Sequence, residues 1–288
     1  MSLFSALALE RCHHAGCRFR TARTRFTPSR GIVLNGEWYC SAACFQAGLQ
    51  AKSSLLLAEA APDPPPKPHR VPLGLLLLSR GMIDLATLRR ALEEQAATGD
   101  RIGDVLRALG AVTEQQITTA VASQWSCPVF PLRDHPNPGQ FVHLLPLGLL
   151  QHYCALPVHF VRSTRVLHVA FAQTVSSTFL YAAQQMLSCT AQACFADESA
   201  ILRALDQARY DSDRSEYLVS DVSGVAEMAR VAVGFAQQLA ATGARLLSCE
   251  DRLWLRLTRK NEANDFLFQF GAAVASTMRK DDFLTAAM

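Results

Sequence analysis

Pro72-Leu-Gly-Leu-Leu-Leu-Leu-Ser-Arg-Gly-Met-Ile-Asp-Leu-Ala-Thr-Leu-Arg-Arg-Ala-Leu-Glu-Glu-Gln95 and Arg101-Ile-Gly-Asp-Val-Leu-Arg-Ala-Leu-Gly-Ala-Val-Thr-Glu-Gln-Gln-Ile-Thr-Thr-Ala-Val-Ala-Ser-Gln124 are two copies of one 24-residue pattern. Five residues, Ala96 to Asp100, separate them, so equivalent positions are offset by 29. Gly74 and Gly103, Gly81 and Gly110, Ala91 and Ala120, and Gln95 and Gln124 coincide at that offset. In each copy a short helix runs from the first glycine to the second, which stands where a left-handed C-terminal cap belongs. Asp84 and Thr113 then occupy the N-cap of a second helix, and Thr113 with Gln116 spells a capping box. Leu85, Leu88 and Leu92, and Ile117, Ala120 and Val121, follow helical spacing. Each copy therefore reads as a helix–turn–helix hairpin, and the pair as a four-helix tandem-repeat unit.

Working outward, a small α/β unit follows the repeat. Val129–Leu132 is a short apolar run, and Pro146–His152 suits a short helix. Ala155–Val161 and Val166–Phe171 alternate as a strand pair around Arg162-Ser-Thr-Arg165. A helix over Val175–Leu187, a strand over Ala191–Phe195 and a helix over Asp197–Arg209 complete the unit. Before the repeat, Ala61-Pro-Asp-Pro-Pro-Pro-Lys-Pro68 is too proline-rich for helix or central strand and reads as an extended linker. After it, Asp211-Ser-Asp-Arg-Ser-Glu216 marks a polar boundary, followed by a long helical pattern and two strand-like runs. The reading is an α+β multidomain protein. Its parts are a small zinc finger (1–52), a linker (53–70), the repeat with its α/β unit (71–210), a second linker (211–221) and a C-terminal helix-plus-strands domain (222–288).

The first segment carries four of the nine cysteines, as Cys12-x4-Cys17 and Cys40-x3-Cys44. Two knuckles, a β-rich spacer and a helical run from Ala42 resemble a treble-clef or ribbon zinc finger. Four thiolates give closed tetrahedral coordination, which marks structural rather than catalytic zinc. His13 or His14 could replace one thiolate. A module of this size has a thin core, for which metal is a usual remedy. Cys127, Cys154, Cys189, Cys194 and Cys249 stand in apolar contexts and read as buried thiols.

Composition limits the function classes. The 288 residues are half hydrophobic, which excludes bulk disorder. Lys plus Arg number 28 against 25 Asp plus Glu, a net charge of +3, too balanced for a dedicated nucleic-acid binder. Arginines between Arg11 and Arg30, interleaved with Phe19 and Phe26, leave a nucleic-acid-binding finger as a minor alternative. No secretory signal or bilayer-length apolar run is visible, and the cysteine number is odd, so a cytoplasmic location without membrane insertion is expected. There is no Gly-x4-Gly-Lys-Ser/Thr, no His-Glu-x2-His and no Gly-x-Ser-x-Gly, so no enzyme is expected.

Residues 71–210 resemble the N-terminal domain of the type II secretion and type IV pilus assembly ATPases, in its MshEN form. The tandem motifs and the run Leu144-Leu-Pro…Tyr153-Cys-Ala-Leu-Pro157-Val…Leu167-His-Val-Ala170 carry that resemblance. It implies a regulator or adaptor for secretion or pilus assembly proteins that binds cyclic di-GMP through Arg70, Leu73, Gly74 and Gln95 of the first motif, and Arg101, Ile102, Gly103 and Gln124 of the second. Such residues suit the ligand. Glycine in a first helical turn admits phosphate to backbone N–H groups, arginine stacks on a base, and the glutamine amide both donates and accepts. Two positions depart from the family: Pro72 stands where it has Arg, and Gln173 where it has Asp. A ligand-free interaction scaffold is therefore the alternative. Residues 222–288 resemble a truncated start of the ATPase region, a generic capping domain being the other reading; the motor itself is expected to be missing.

Overall fold

A computed structural model describes residues 10–18, 22–23, 31–59, 70–209, 216–249, 252–260 and 262–270. The N-terminal segment forms β1 (Glu10–Arg11), β2 (Ala22–Arg23), β3 (Ile32–Leu34), β4 (Glu37–Tyr39) and α1 (Ala42–Glu59). The middle of the chain forms α2 (Leu73–Ser79), α3 (Leu85–Thr98), α4 (Ile102–Ala108), α5 (Glu114–Trp125), α6 (Leu147–His152), β5 (Ala155–Val161), β6 (Val166–Phe171), α7 (Ser177–Leu187), β7 (Thr190–Phe195) and α8 (Glu198–Arg209). Last come β8 (Glu216–Val222), α9 (Val225–Gln238), β9 (Gly243–Cys249), β10 (Arg252–Arg259) and β11 (Glu262–Phe270). The mixed α+β class expected from the sequence is present. The chain divides into two compact units: Pro64–Arg214, and a second that combines Met1–Asp63 with Ser215–Met288. The proline-rich stretch Ala61–Pro68 lies outside the described residues.

In the first of these units the two motifs fold as the sequence dictates. Gly81 and Gly110 both adopt φ +68°, the left-handed region open to glycine. The N–H groups of Gly81 and Met82 bond the carbonyls of Leu78 and Leu77, and those of Gly110 and Ala111 bond Arg107 and Leu106. Both are Schellman closures that satisfy the last carbonyls of α2 and α4. Asp84 Oδ1 accepts from Thr87 N–H at 2.7 Å to start α3. Thr113 and Gln116 cap α5 reciprocally, at 3.2 and 2.8 Å. The core is filled by equivalent pairs, Leu77 with Leu106, Ile83 with Val112 and Ala91 with Ala120, all buried. The α/β part is a three-stranded sheet in the order β5-β6-β7, with β5 antiparallel and β7 parallel to β6. Strands β5 and β6 keep the bounds read from the sequence, because alternation and the intervening turn are local signals.

The second unit corrects the serial division of the chain. The finger and the tail share one six-stranded sheet, ordered β4-β3-β9-β10-β11-β8. Strand β3 runs parallel to β9, with Val33 N–H bonding Thr242 and Asn35 N–H bonding Ala244 at 3.1 and 3.0 Å. Helices α1 and α9 pack together, and Leu34, Phe45 and Leu49 enter the same core as Leu246, Leu253, Leu255, Phe266 and Phe268. Three-residue strands bury too little to stand alone, which is why the finger uses the tail as a partner. The expected linkers are also shorter: α1 continues to Glu59, and Glu216–Val222 is an edge strand rather than a connection. A third tail strand, β11, joins the two expected. Among the described residues no helix is long and apolar enough to cross a membrane.

Candidate functional site

The motif residues meet across a local pseudo-two-fold. Gly74 and Gly103 sit in the first turns of α2 and α4, both buried. A Cβ added to Gly74 would lie 3.8 Å from Ile102 Cγ1, and one added to Gly103 would lie 3.4 Å from Leu73 Cδ2. Each copy's second residue thus covers the other copy's glycine. The terminal glutamines cross in the same way. Gln95 Nε2 donates to the Asp100 carbonyl at 2.9 Å, and Gln124 Nε2 donates to the Val71 carbonyl. Asp100 immediately precedes the second motif, and Val71 the first. The arrangement therefore brings Leu73, Gly74, Gln95, Ile102, Gly103 and Gln124 into one reciprocal set.

The arginines stand at its margin. Arg101 is the N-cap residue of α4, exposed, and its side chain makes no capping bond. It acts on Cys154, whose thiol is pushed up to about 11, first by burial and then by the Glu198 carboxylate, with Arg101 opposing. Arg70 lies with its guanidinium carbon 3.2 Å from the centroid of the Trp125 ring, a cation–π stack. Pro72 occupies the N-cap of α2 at the position equivalent to Arg101. Gln173 donates to Glu198 Oε2 at 2.8 Å, so a carboxylate is bound to the position where Asp is missing.

Sequence reasoning did not find Trp125, although it directly follows Gln124. It also missed the polar network that ties α5 to α8. Glu114 accepts from the Ser199 N–H and hydroxyl, both at 2.7 Å, and from Arg133 Nη2 at 2.6 Å. Arg133 Nε also meets Asp197 Oδ2 at 2.6 Å, and Thr118 donates to Asp197 Oδ1 at 2.7 Å. Burial pushes the Glu114 carboxyl up, but the Ser199 bonds and the Arg133 charge outweigh it and hold the group below its ordinary value. These partners lie up to 85 positions apart, so no local pattern announces them.

In the other unit Cys12, Cys17, Cys40 and Cys44 come together with all sulfurs within 4.8 Å of one another. Cys17 Sγ and Cys40 Sγ lie 3.6 Å apart, and Cys40 Sγ and Cys44 Sγ 3.8 Å. The first knuckle is fixed by Cys17 N–H on the His14 carbonyl, and by His13 N–H on the Trp38 carbonyl of the β3–β4 hairpin. The second runs into α1, where Ser41 Oγ accepts from Cys44 N–H. Such a group of thiols can hold a metal ion. His13 is instead paired with Glu37 at 3.3 Å. Of the remaining cysteines, Cys194 and Cys249 are buried as expected, whereas Cys127, Cys154 and Cys189 are half-buried. Of the arginine-rich face, Arg20, Arg25 and Arg30 lie outside the described residues.

Residues 125–216 match the model of the MshEN domain family. The chain is similar to the type IV pilus assembly ATPase PilB of Myxococcus xanthus, with 32% identity over 87 residues, covering 30% of this chain and 15% of that protein. The type IV pilus assembly ATPase PilB of Thermus thermophilus is 26% identical over 133 residues, 46% of this chain and 15% of the relative. Among solved structures, MshE with cdg shares 29% identity over 48% of this chain and 99% of that one, at a TM-score of 0.38. The N-terminal domain of XpsE shares 22% identity over 45% of this chain and 89% of that one, at a TM-score of 0.30. The chain spans 15% of the length of the two pilus ATPases it matches. The matched family residues begin at Trp125, so the tandem motifs stand on their own geometry.

Proposed function

We propose that this protein is a cytoplasmic, non-enzymatic regulator or adaptor of a pilus or type II secretion assembly machine, and that the tandem motifs bind cyclic di-GMP. The observation that carries the reading is the reciprocal packing of Leu73 on Gly103 and Ile102 on Gly74, closed by the crossed glutamines. A cyclic dinucleotide repeats its guanine and its phosphate about a two-fold, and a pseudo-two-fold pair of hairpins is complementary to it. Arg101 supplies stacking and charge from one copy, and Arg70 replaces the arginine that Pro72 displaces. The given sequence contains no Gly-x4-Gly-Lys-Ser/Thr motif. In the same reading Cys12, Cys17, Cys40 and Cys44 hold structural zinc. A Zn–S bond of about 2.3 Å sets a tetrahedral S–S edge of about 3.8 Å, close to the observed 3.6 and 3.8 Å.

Isothermal titration of the full chain with cyclic di-GMP tests the ligand. A site of ~1 μM affinity is about 99% filled at ~100 μM ligand, and Arg101→Ala should weaken it without loss of fold. No heat at that concentration leaves the ligand-free scaffold. One feature favours that second reading: Gln124 and Arg70 are already engaged, on the Val71 carbonyl and the Trp125 ring.

A further inference from the structure

We infer that the four-cysteine cluster closes a discontinuous domain, so that a zinc-class divalent cation held there is required for the C-terminal elements α9 and β9–β11 to fold, and not only for the N-terminal knuckles. The inference rests on the metal reading above and goes beyond it. A free-standing finger would lose its own structure alone when stripped of metal.

Three observations tie the cysteines to the tail. The first is backbone pairing. Strand β3 is the sheet partner of β9 on the side away from β10. At its end Asn35 (φ +49°) turns its side chain onto Leu246, donating to the carbonyl at 2.9 Å and accepting from the N–H at 2.8 Å. This two-pronged amide extends the β3–β9 ladder by one rung. The second is the core. Cys17 and Cys44 are themselves buried members of the apolar cluster that contains Leu246, Leu255, Phe266 and Phe268. Two of the four thiols therefore lie inside the core that the tail strands need. The third is the helix pair. Helix α1 begins directly after the second knuckle opens at Cys40 and packs on α9, where Ser53 donates to Met228 Sδ at 3.5 Å in a fully buried contact. Release of the knuckles frees the start of α1 and the hairpin β3–β4. Strand β9 then becomes an unpaired edge, and Met228, Ala229 and Ala232 lose their cover. Metal binding is coupled to folding wherever the ligands are brought together only by the fold, and here the fold includes residues some 200 positions away.

The test uses the full chain, its zinc content measured after purification without chelator, and hydrogen exchange before and after metal removal. Zinc at one per chain is expected. On its removal, peptides over 225–257 should lose protection together with those over 31–59, while peptides over 73–125 keep theirs. The Cys40→Ser variant should reproduce that pattern. Asn35→Ala, which leaves every thiol in place, should weaken zinc binding, because coupling between the ladder and the cluster acts in both directions. Zinc present, but with 225–257 fully protected after its removal, overturns the inference while leaving the metal reading intact. Absence of zinc, with unchanged protection in the metal-free protein, defeats both. An unchanged zinc affinity in Asn35→Ala also counts against the coupling.

Discussion

Gly74 and Gly103 are equivalent in sequence, but alanine should act in opposite directions at the two positions. A Cβ at Gly103 would lie 3.4 Å from Leu73 Cδ2 and 3.5 Å from Ile117 Cγ2, ordinary van der Waals contact. Alanine is a better helix former than glycine by about 1 kcal/mol in a helix interior, and less in a first turn. Gly103→Ala should therefore leave the repeat unchanged or stabilise it by up to about 1 kcal/mol. At Gly74 the added carbon would lie 2.7 Å from Leu88 Cδ1. Leu88 is only 5% exposed and packed in the repeat core, so it has little room to yield. Overpacking of this kind costs about 1–3 kcal/mol, which exceeds the helical gain, so Gly74→Ala should destabilise. Hydrogen exchange in α3 and α5 reads the opening free energy of the repeat itself, without interference from the other unit. The same proteins should be titrated with cyclic di-GMP. If the ligand approaches the backbone at Gly103, the methyl group removes a charged hydrogen bond of about 1.5–3 kcal/mol, roughly a 10- to 100-fold loss of affinity in a protein of undiminished stability. A Gly103→Ala protein less stable than Gly74→Ala refutes the packing argument. Undiminished affinity in Gly103→Ala refutes the close approach.

The network between α5 and α8 yields two further expectations. Arg133→Ala leaves the Glu114 and Asp197 carboxylates, 16% and 11% exposed, without their shared cation. Breaking a buried pair costs about 3–5 kcal/mol, but Arg133 is 51% exposed and solvent screens it, so a loss of about 1–2 kcal/mol is expected; exchange in α5 and α8 measures it. Glu114 has a folded-state pKa held below its unfolded one, so its contribution is fully present above the ordinary glutamate value of about 4.3 and is lost as pH falls through the lower folded value. Glu114→Gln should flatten that part of the acid unfolding profile, and an unaltered profile would show that other carboxylates dominate it.

What the sequence discloses and what it hides divide along range. The four repeat helices are legible because each end carries its own signal: Asp84 and Thr113 at N-caps, Gly81 and Gly110 at Schellman closures. Strands β5 and β6 are legible because a turn and an alternation lie between Ala155 and Phe171. The two cysteine pairs are legible as knuckles because their spacings are local to each, although the meeting of the two knuckles is not. Strand β11 is hidden because Phe266, Leu267 and Phe268 are all buried, so the run lacks the polar alternation of a half-exposed strand. Strand β8 is hidden for the opposite reason: it is an edge strand in which Leu218 is 62% exposed and Val222 alone is buried, so its apolar residues follow no core-facing alternation. The pairing of β3 with β9 joins residues some 210 positions apart, and no propensity or periodicity encodes such a contact.

The symmetry of the repeat extends to packing but not to charge. Three pairs that fill the core, Leu77 with Leu106, Ile83 with Val112 and Ala91 with Ala120, are matched in kind and in burial. At the candidate site the matching stops. Arg101 has Pro72 as its counterpart, Arg70 has Gly99, and Trp125 has Ala96. The second arginine is thus delivered from two positions before the first motif and lies on an indole that follows the second. That stack and the Gln124–Val71 bond fasten the same short segment, so the side chains best suited to meet a ligand also hold the chain where it enters the first helix. Any ligand that takes up Gln124 or Arg70 must exchange these internal contacts for its own. The measured affinity is then a difference between two sets of bonds, which makes Arg101, bound to neither, the cleaner residue with which to detect binding.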